Sequence, residues 1–474
     1  MQRITRIPRL ATNYVILSGA EFISKIMAAV ALAYLARVLG PQSYGYLEFA
    51  IAIYFIFTLI VDSGLSFYGA RELAKNEVLL PRLFVHITLI RSILSLLAFI
   101  IMALVARFID QPQSVKVLIL LYGLVMFIVP WLIQWVFQGR DMMRFVGLSQ
   151  LLRWSVFTVA VLLLVREPNQ VWYVPMIEGL ALLCVALFLL RALLRYFGFP
   201  RYRINSRDAF GMFRQALPIG ASEVVWAVKV YFATILLGFV IGGPELGWFT
   251  SAHRVVIALH AFVWLYFYNM LPSIARTSQQ PITALQKLMR VSIKITAWTG
   301  LLLGIYGAAY AEVGITFIFG VQFQEAGHVF QVLVWLIPLA LMSGHFRYTL
   351  IGYNRQKLEF YSALVGAAVT VVLNLILVPR LGMMGAAWAL VISEAVIWLV
   401  AYYFVRRTIA VIPVFRNIWR PMIAGIALTA ALYFLMQVNI WLAGVVGLVF
   451  YSLLFVFAQP GLFNSLRSIY TRDQ

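Results

Sequence analysis

The chain has 474 residues, 63% of them apolar and 11% charged, with a mean hydropathy of +0.92; such a polymer is dissolved mostly in lipid. Its formal charge of +20 would suit a nucleic-acid binder, but Lys and Arg cluster between apolar runs, which is how a membrane protein carries them in its cytoplasmic loops. A single cysteine, Cys184, excludes an intrachain disulfide and any multi-cysteine metal site.

Apolar runs of membrane-crossing length predict fourteen helical spans, at 13–38, 44–68, 83–106, 115–138, 145–165, 172–195, 214–241, 247–271, 288–309, 327–351, 358–378, 383–405, 418–437 and 439–459. The first run is too long for a signal peptide and has no clear small-residue cleavage site, so it reads as a retained span. An even count puts both termini on one side. Basic residues fall at the N-terminus (Arg3, Arg6, Arg9), in the even-numbered connections (for example Arg201, Arg203 and Arg207) and at the C-terminus (Arg467, Arg472). The opposite connections hold only Arg37, Arg107, Lys116, Arg166 and Arg380, so the termini are expected in the cytoplasm.

The first span carries Glu21 and Lys25, four residues apart and therefore on one helix face. Lys25 lies roughly 18 Å into the run, near the middle of a hydrocarbon layer about 30 Å thick. An ionisable pair at that depth must face water or a partner, which makes it a candidate site. Lys229 occupies a similar depth in the seventh span, with Glu223 as a nearby acid, and Arg254 lies about 10 Å from the outer end of the eighth. A phosphate or pyrophosphate cannot enter hydrocarbon without counter-charge or water, and these three cations can supply it. The competing reading of the lysines is an ion pair with the neighbouring acid, Glu21 for Lys25 and Glu223 for Lys229. Arg91 and Arg153 are candidates for an anion funnel or for interhelical pairs. Asp62, Glu21 and Glu223 are candidates for ion coupling; for Asp62 the competing reading is a helix-end contact near Ser63 and Gly64. Glu178 and Glu394 read as stabilising groups, and His253 and His260 as packing groups, because no acid or cysteine completes metal-ligand spacing.

Parts of the sequence repeat. Trp172, Glu178 and Arg191 recur as Trp388, Glu394 and Arg407 at an offset of 216. Lys25 before Gly40-Pro41 is matched by Lys229 before Gly243-Pro244, and Arg91 by Lys294, at an offset near 203. This predicts two parallel six-span halves, 1–200 and 201–412, with extra residues inserted after Tyr310 and an appended segment, 413–474, holding spans thirteen and fourteen. The five Asp residues form no Asp-x-Asp pair, and no P-loop, dinucleotide fingerprint or His-Glu-x-x-His is present. Connections are too short for an ATP-hydrolysing domain or a large outer catalytic loop, so no catalytic residue, metal or cofactor is expected and the reading is a transporter, not an enzyme.

Several stretches carry a family likeness: LARVLGPQSYG and VDSGLSFYGARELAK near the start, LPIGASEVVWAVKVYFATILLG in the seventh span, and NLILVPRLGMMGAAWALVISE across the eleventh and twelfth. With them the chain resembles the O-antigen (Wzx-type) polysaccharide flippases, in the superfamily that holds lipid II flippases and MATE drug exporters. The resemblance implies an all-α polytopic membrane protein with two six-helix lobes in a V around a central cavity, plus two extra C-terminal helices. It also implies alternating access. In similar lipid flippases, cations on the first, second, seventh and eighth spans line the cavity, and the matching positions are Lys25, Lys229 and Arg254. The second span offers Asp62 and no cation, a departure from the lipid II pattern. The implied substrate is a polyprenyl-linked glycan in the bacterial inner membrane. The implied energy source is a proton or sodium gradient or the membrane potential, and the implied partners are membrane lipids, a polysaccharide polymerase and other assembly proteins, with no nucleic acid. Lipid II export and MATE-like export of cations are the alternatives; the latter would want acids where Lys25 and Lys229 stand.

Overall fold

A computed structural model describes residues 6–459, with side chains from residue 19 onward. Arg3, Arg467 and Arg472 lie outside the described residues, and Arg6 and Arg9 outside the described side chains. Among the described residues the chain is all helical, with no strand. Twelve helices among the described residues are long and apolar enough to cross a membrane. Two of them are too long for one crossing, Arg6–Asp62 at 57 residues and Gln356–Thr408 at 53; at 1.5 Å per residue each would exceed about 75 Å. Both break at a glycine, Gly40 (φ 72°, ψ 169°) and Gly382 (φ 58°, ψ −137°). Both glycines lie in left-handed backbone that a side chain resists. The breaks yield fourteen spans, and the protein is a multi-pass membrane protein.

Other boundaries shift for local reasons. The fourth span is helical over Gln113–Val125 and Gln134–Gly139, with a tighter turn over Met126–Trp131 around Pro130, whose ring cannot sit in a regular helix. The seventh and eighth helices, Ser206–Val240 and Gly243–Thr277, are 35 residues each and outrun the apolar runs read from the sequence. The extra residues after Tyr310 fold as a separate short helix, Ala311–Phe319. Large apolar side chains such as Phe22 (64% exposed), Phe317 (79%) and Phe457 (79%) point outward. Their solvent is lipid, since in water so many would form adhesive patches.

The chain divides into two compact units, 1–247 and 248–474. In the first, the seventh helix is pressed on the second span through small residues. A Cβ on Gly220 would strike the backbone of Ser63, one on Gly64 would come within 2.6 Å of the Gly220 nitrogen, and one on Gly238 would strike the Phe49 ring. Without a hydrophobic force between helices in lipid, such close approach is what holds them together. In the second unit, Val414–Met436 and Ile440–Ala458 pack on the ninth helix, Ile282–Ala309, through Trp298, Ile305, Leu428, Leu432 and Tyr451. Tyr306, Tyr310 and Tyr451 fasten this seam, donating to the carbonyls of Gly444 (2.7 Å), Ile440 (2.6 Å) and Trp298 (3.0 Å).

Overpacking at a backbone contact costs about 1–3 kcal/mol. Gly220→Leu is therefore expected to lower the melting temperature of the detergent-purified protein, whereas Gly211→Ala, whose added Cβ meets nothing within 4 Å, should leave it unchanged.

Candidate functional site

A cleft of about 650 Å³ opens in the first unit between the start of the amphipathic helix Leu65–Lys75 and the seventh helix. It is lined by Phe67, Pro218, Ile219, Ser222, Glu223 and Trp226. Phe67 (62% exposed) and Trp226 (54%) present apolar faces to it. Ser222 and Glu223 supply the polar groups, so the wall combines ring surfaces with hydrogen-bonding atoms.

The electrostatic floor beside this cleft is built where the second span ends. Ser63 and Gly64 both take positive φ (44° and 75°), which stops the helix and starts the next one at Leu65. Asp62 then accepts from the hydroxyl (2.9 Å) and backbone N–H (3.4 Å) of Ser66, the helix-end contact that the sequence offered as its competing reading. The same carboxylate forms an ion pair with buried Arg91 of the third span, Leu80–Phe108, and Arg91 also donates to the Ser66 hydroxyl and the Leu132 carbonyl (3.5 Å). Glu223 lies within electrostatic reach of Arg91. Asp62, Arg91 and Glu223 therefore form one group from three helices, with two carboxylates for one guanidinium.

The other sequence candidates distribute as follows. Lys25 pairs with Glu21 at 2.9 Å, and both side chains are about half exposed (60% and 49%). Lys229 is partly buried on the seventh helix near Trp226 and Tyr231, whose neighbour Phe55 stacks within 4.7 Å of the Tyr231 ring. Glu223 stands six residues before Lys229, about 120° around the helix, and its charge is directed to Arg91 instead. Arg153 of the fifth helix pairs with buried Glu178 of the sixth and stacks 5.2 Å over Trp154. Arg254 belongs to the second unit; it is partly buried beside buried His253, which packs 5.5 Å from the Phe249 ring, while His260 is exposed. Among the described residues no group of three His, Cys, Asp or Glu side chains could hold a metal ion.

Two polar networks in the second unit were not legible beforehand. Glu394 accepts from Ser343 (2.6 Å), and Arg347, which feels Glu394, pairs with Glu359 (2.6 Å). His345, fully buried, bonds Ser292 (2.7 Å), which in turn bonds Tyr266 (2.6 Å). Glu394 was visible as a repeat of Glu178; its partners were not, because they lie on other helices.

A family model described as "Polysaccharide biosynthesis protein" matches residues 10–278. The Escherichia coli (strain K12) protein named "Putative O-antigen transporter" is 20% identical over 411 residues, covering 84% of this chain and 97% of that protein. The solved structure of the "Lipid II flippase MurJ, inward closed conformation" superposes with a TM-score of 0.77 at 13% identity, over 95% of this chain and 100% of that one. An inward-facing multidrug resistance MATE transporter gives a TM-score of 0.63 at 14% identity, over 83% and 97%. These two structures share the fold. Since the family model covers more than half of the sequence, the chain belongs to the polysaccharide biosynthesis protein family.

Proposed function

We propose that the protein carries a polyprenyl-(pyro)phosphate-linked oligosaccharide from the cytoplasmic to the outer leaflet by alternating access, without chemistry of its own. The observation that carries this reading is the Lys25–Glu21 pair, half exposed within an apolar helix of membrane-crossing length. Lipid tails cannot solvate such a pair, so its face must meet water or a polar cargo. Lys25, Lys229 and Arg254 are the cations proposed for the phosphate, and an arginine such as Arg254 can bind one bidentately. The polyprenyl chain stays in the bilayer while the head group crosses. Family membership and the O-antigen relative support a glycan cargo for cell-surface polysaccharide assembly. In this reading the protein works in the bacterial inner membrane and delivers to a polymerase on the outer side.

In this reading the membrane potential biases the export. An anionic head group moving outward down an inside-negative potential gains about 2.3 kcal/mol per charge per 100 mV. A coupled proton or sodium ion would add to this, and Glu223 is the acid best placed to take it. Its group holds two carboxylates for one guanidinium, so an approaching anion favours neutralising one of them.

Removing Lys25 leaves Glu21 without its partner, so the test is read at matched protein level. In deletion cells, undecaprenyl-linked glycan should accumulate on the cytoplasmic face. Wild type should clear it, while Lys25→Ala and Arg254→Ala at equal protein level should not; normal clearance by both variants would move the phosphate site elsewhere. In vesicles, dissipating the potential with an ionophore should slow transfer severalfold, and an unchanged rate would exclude the voltage contribution. For orientation, reporters fused after Arg203 should read as cytoplasmic and reporters fused after Glu167 as external; the reverse pattern would overturn the assigned topology.

A further inference from the structure

Lys294 occupies the position that matches Arg91 in the repeat, but its surroundings differ in kind. Arg91 is neutralised by Asp62. Lys294, partly buried and about 18 Å along the ninth helix from Ile282, is surrounded by cations: Arg290, Arg416 and Arg420 all act on it electrostatically. Among the described residues no carboxylate acts on it.

The packing explains the convergence. Arg290 and Lys294 are four apart and share a face of the ninth helix; Arg416 and Arg420 are four apart and share a face of the thirteenth. The seam between these helices aligns the two pairs, beginning where the Gln286 amide donates to the Val411 carbonyl (3.1 Å). Arg420 is held in place, stacked 5.2 Å over Trp419 and donating to the Ala458 carbonyl at the end of the fourteenth helix (2.6 Å). Around the four charges, Phe415 (74% exposed), Trp419 (41%), Ile423 (58%) and Ile426 (70%) form an outward apolar strip. Four cations of one sign beside an apolar, lipid-facing strip repel one another unless an anion joins them. The anion that can reach this place from the bilayer is a lipid phosphate, held by charge from the cluster and by contact along the strip.

We infer that Arg290, Lys294, Arg416 and Arg420 form a binding site for the phosphodiester head group of an anionic phospholipid, with its acyl chains lying along Ile423 and Ile426. The site tethers the two appended helices to the ninth through the lipid. It is distinct from the cation set assigned to the transported phosphate and holds whatever glycan is carried.

Trp419 provides a local reporter. The full-length protein is placed in phosphatidylcholine nanodiscs with increasing brominated phosphatidylglycerol, and quenching of Trp419 is taken as the difference between wild type and Trp419→Phe. Half-maximal quenching is expected at a low mole fraction in wild type, with Lys294→Arg behaving alike. Lys294→Gln together with Arg416→Gln should shift the midpoint upward by more than tenfold, at about fivefold per charge removed. As a second measurement, phosphatidylglycerol added to uncharged detergent should raise the melting temperature of wild type and not of the double variant. Equal quenching by brominated phosphatidylcholine, or an unshifted double variant, would overturn the assignment. Displacement of the brominated lipid by equimolar polyprenyl phosphate would also overturn it, in favour of the carrier lipid.

Discussion

A charge placed in hydrocarbon must be answered by an opposite charge or by water, and the helices of this protein are arranged around that requirement. The third span reaches the second through Arg91 and Asp62, the fifth reaches the sixth through Arg153 and Glu178, and the tenth reaches the eleventh through Arg347 and Glu359. Each pair joins helices that have no hydrophobic reason to adhere in lipid. Breaking such a pair by deleting one partner strands the other, which is why these residues read better as fasteners than as a freely available anion path. The ionisable groups not consumed in this way acquire interest by contrast. Lys25 and Glu21 satisfy each other yet remain half exposed within an apolar helix, and among the described residues the charges that act on Lys294 are arginines.

The backbone faces the same demand. Peptide groups in lipid must be satisfied within the helix, so the chain can turn or break only where the local chemistry permits. Gly40 and Gly382 provide left-handed turns between adjoining spans, Pro130 interrupts the fourth, and Ser63-Gly64 separates the second span from the amphipathic helix after it. The last of these breaks places Asp62 at a helix start, where one carboxylate serves as cap and counter-ion at once. The aromatic cleft beside Glu223 exists because the seventh helix approaches that same break through Gly220.

Span positions were legible in the sequence because apolar run length reports directly on bilayer thickness. The alternation of Lys and Arg between loops is consistent with that division into spans. The residues after Tyr310, where the repeat arithmetic puts its extra residues, form a short helix. The pair Lys25–Glu21 was readable because helical spacing alone sets it. Partners of Arg91, Arg153, Glu223 and Glu394 were not, since each lies on another helix and interhelical rotation leaves no mark in a single sequence. Nor did the repeat foretell that Lys294 would meet arginines where Arg91 meets an acid: the thirteenth helix has no counterpart in the first half and brings its own charges.

The central claim is that a lipid-linked glycan crosses the bilayer on this protein. Its most direct test is transfer in proteoliposomes made from the purified full chain, with a polyprenyl-pyrophosphate oligosaccharide whose outer-leaflet fraction is scored by a membrane-impermeant lectin. The account predicts protein-dependent transfer that Lys25→Ala slows by at least tenfold without changing protein incorporation. Transfer no faster than in empty vesicles, across the glycans present in the source cell, would contradict it.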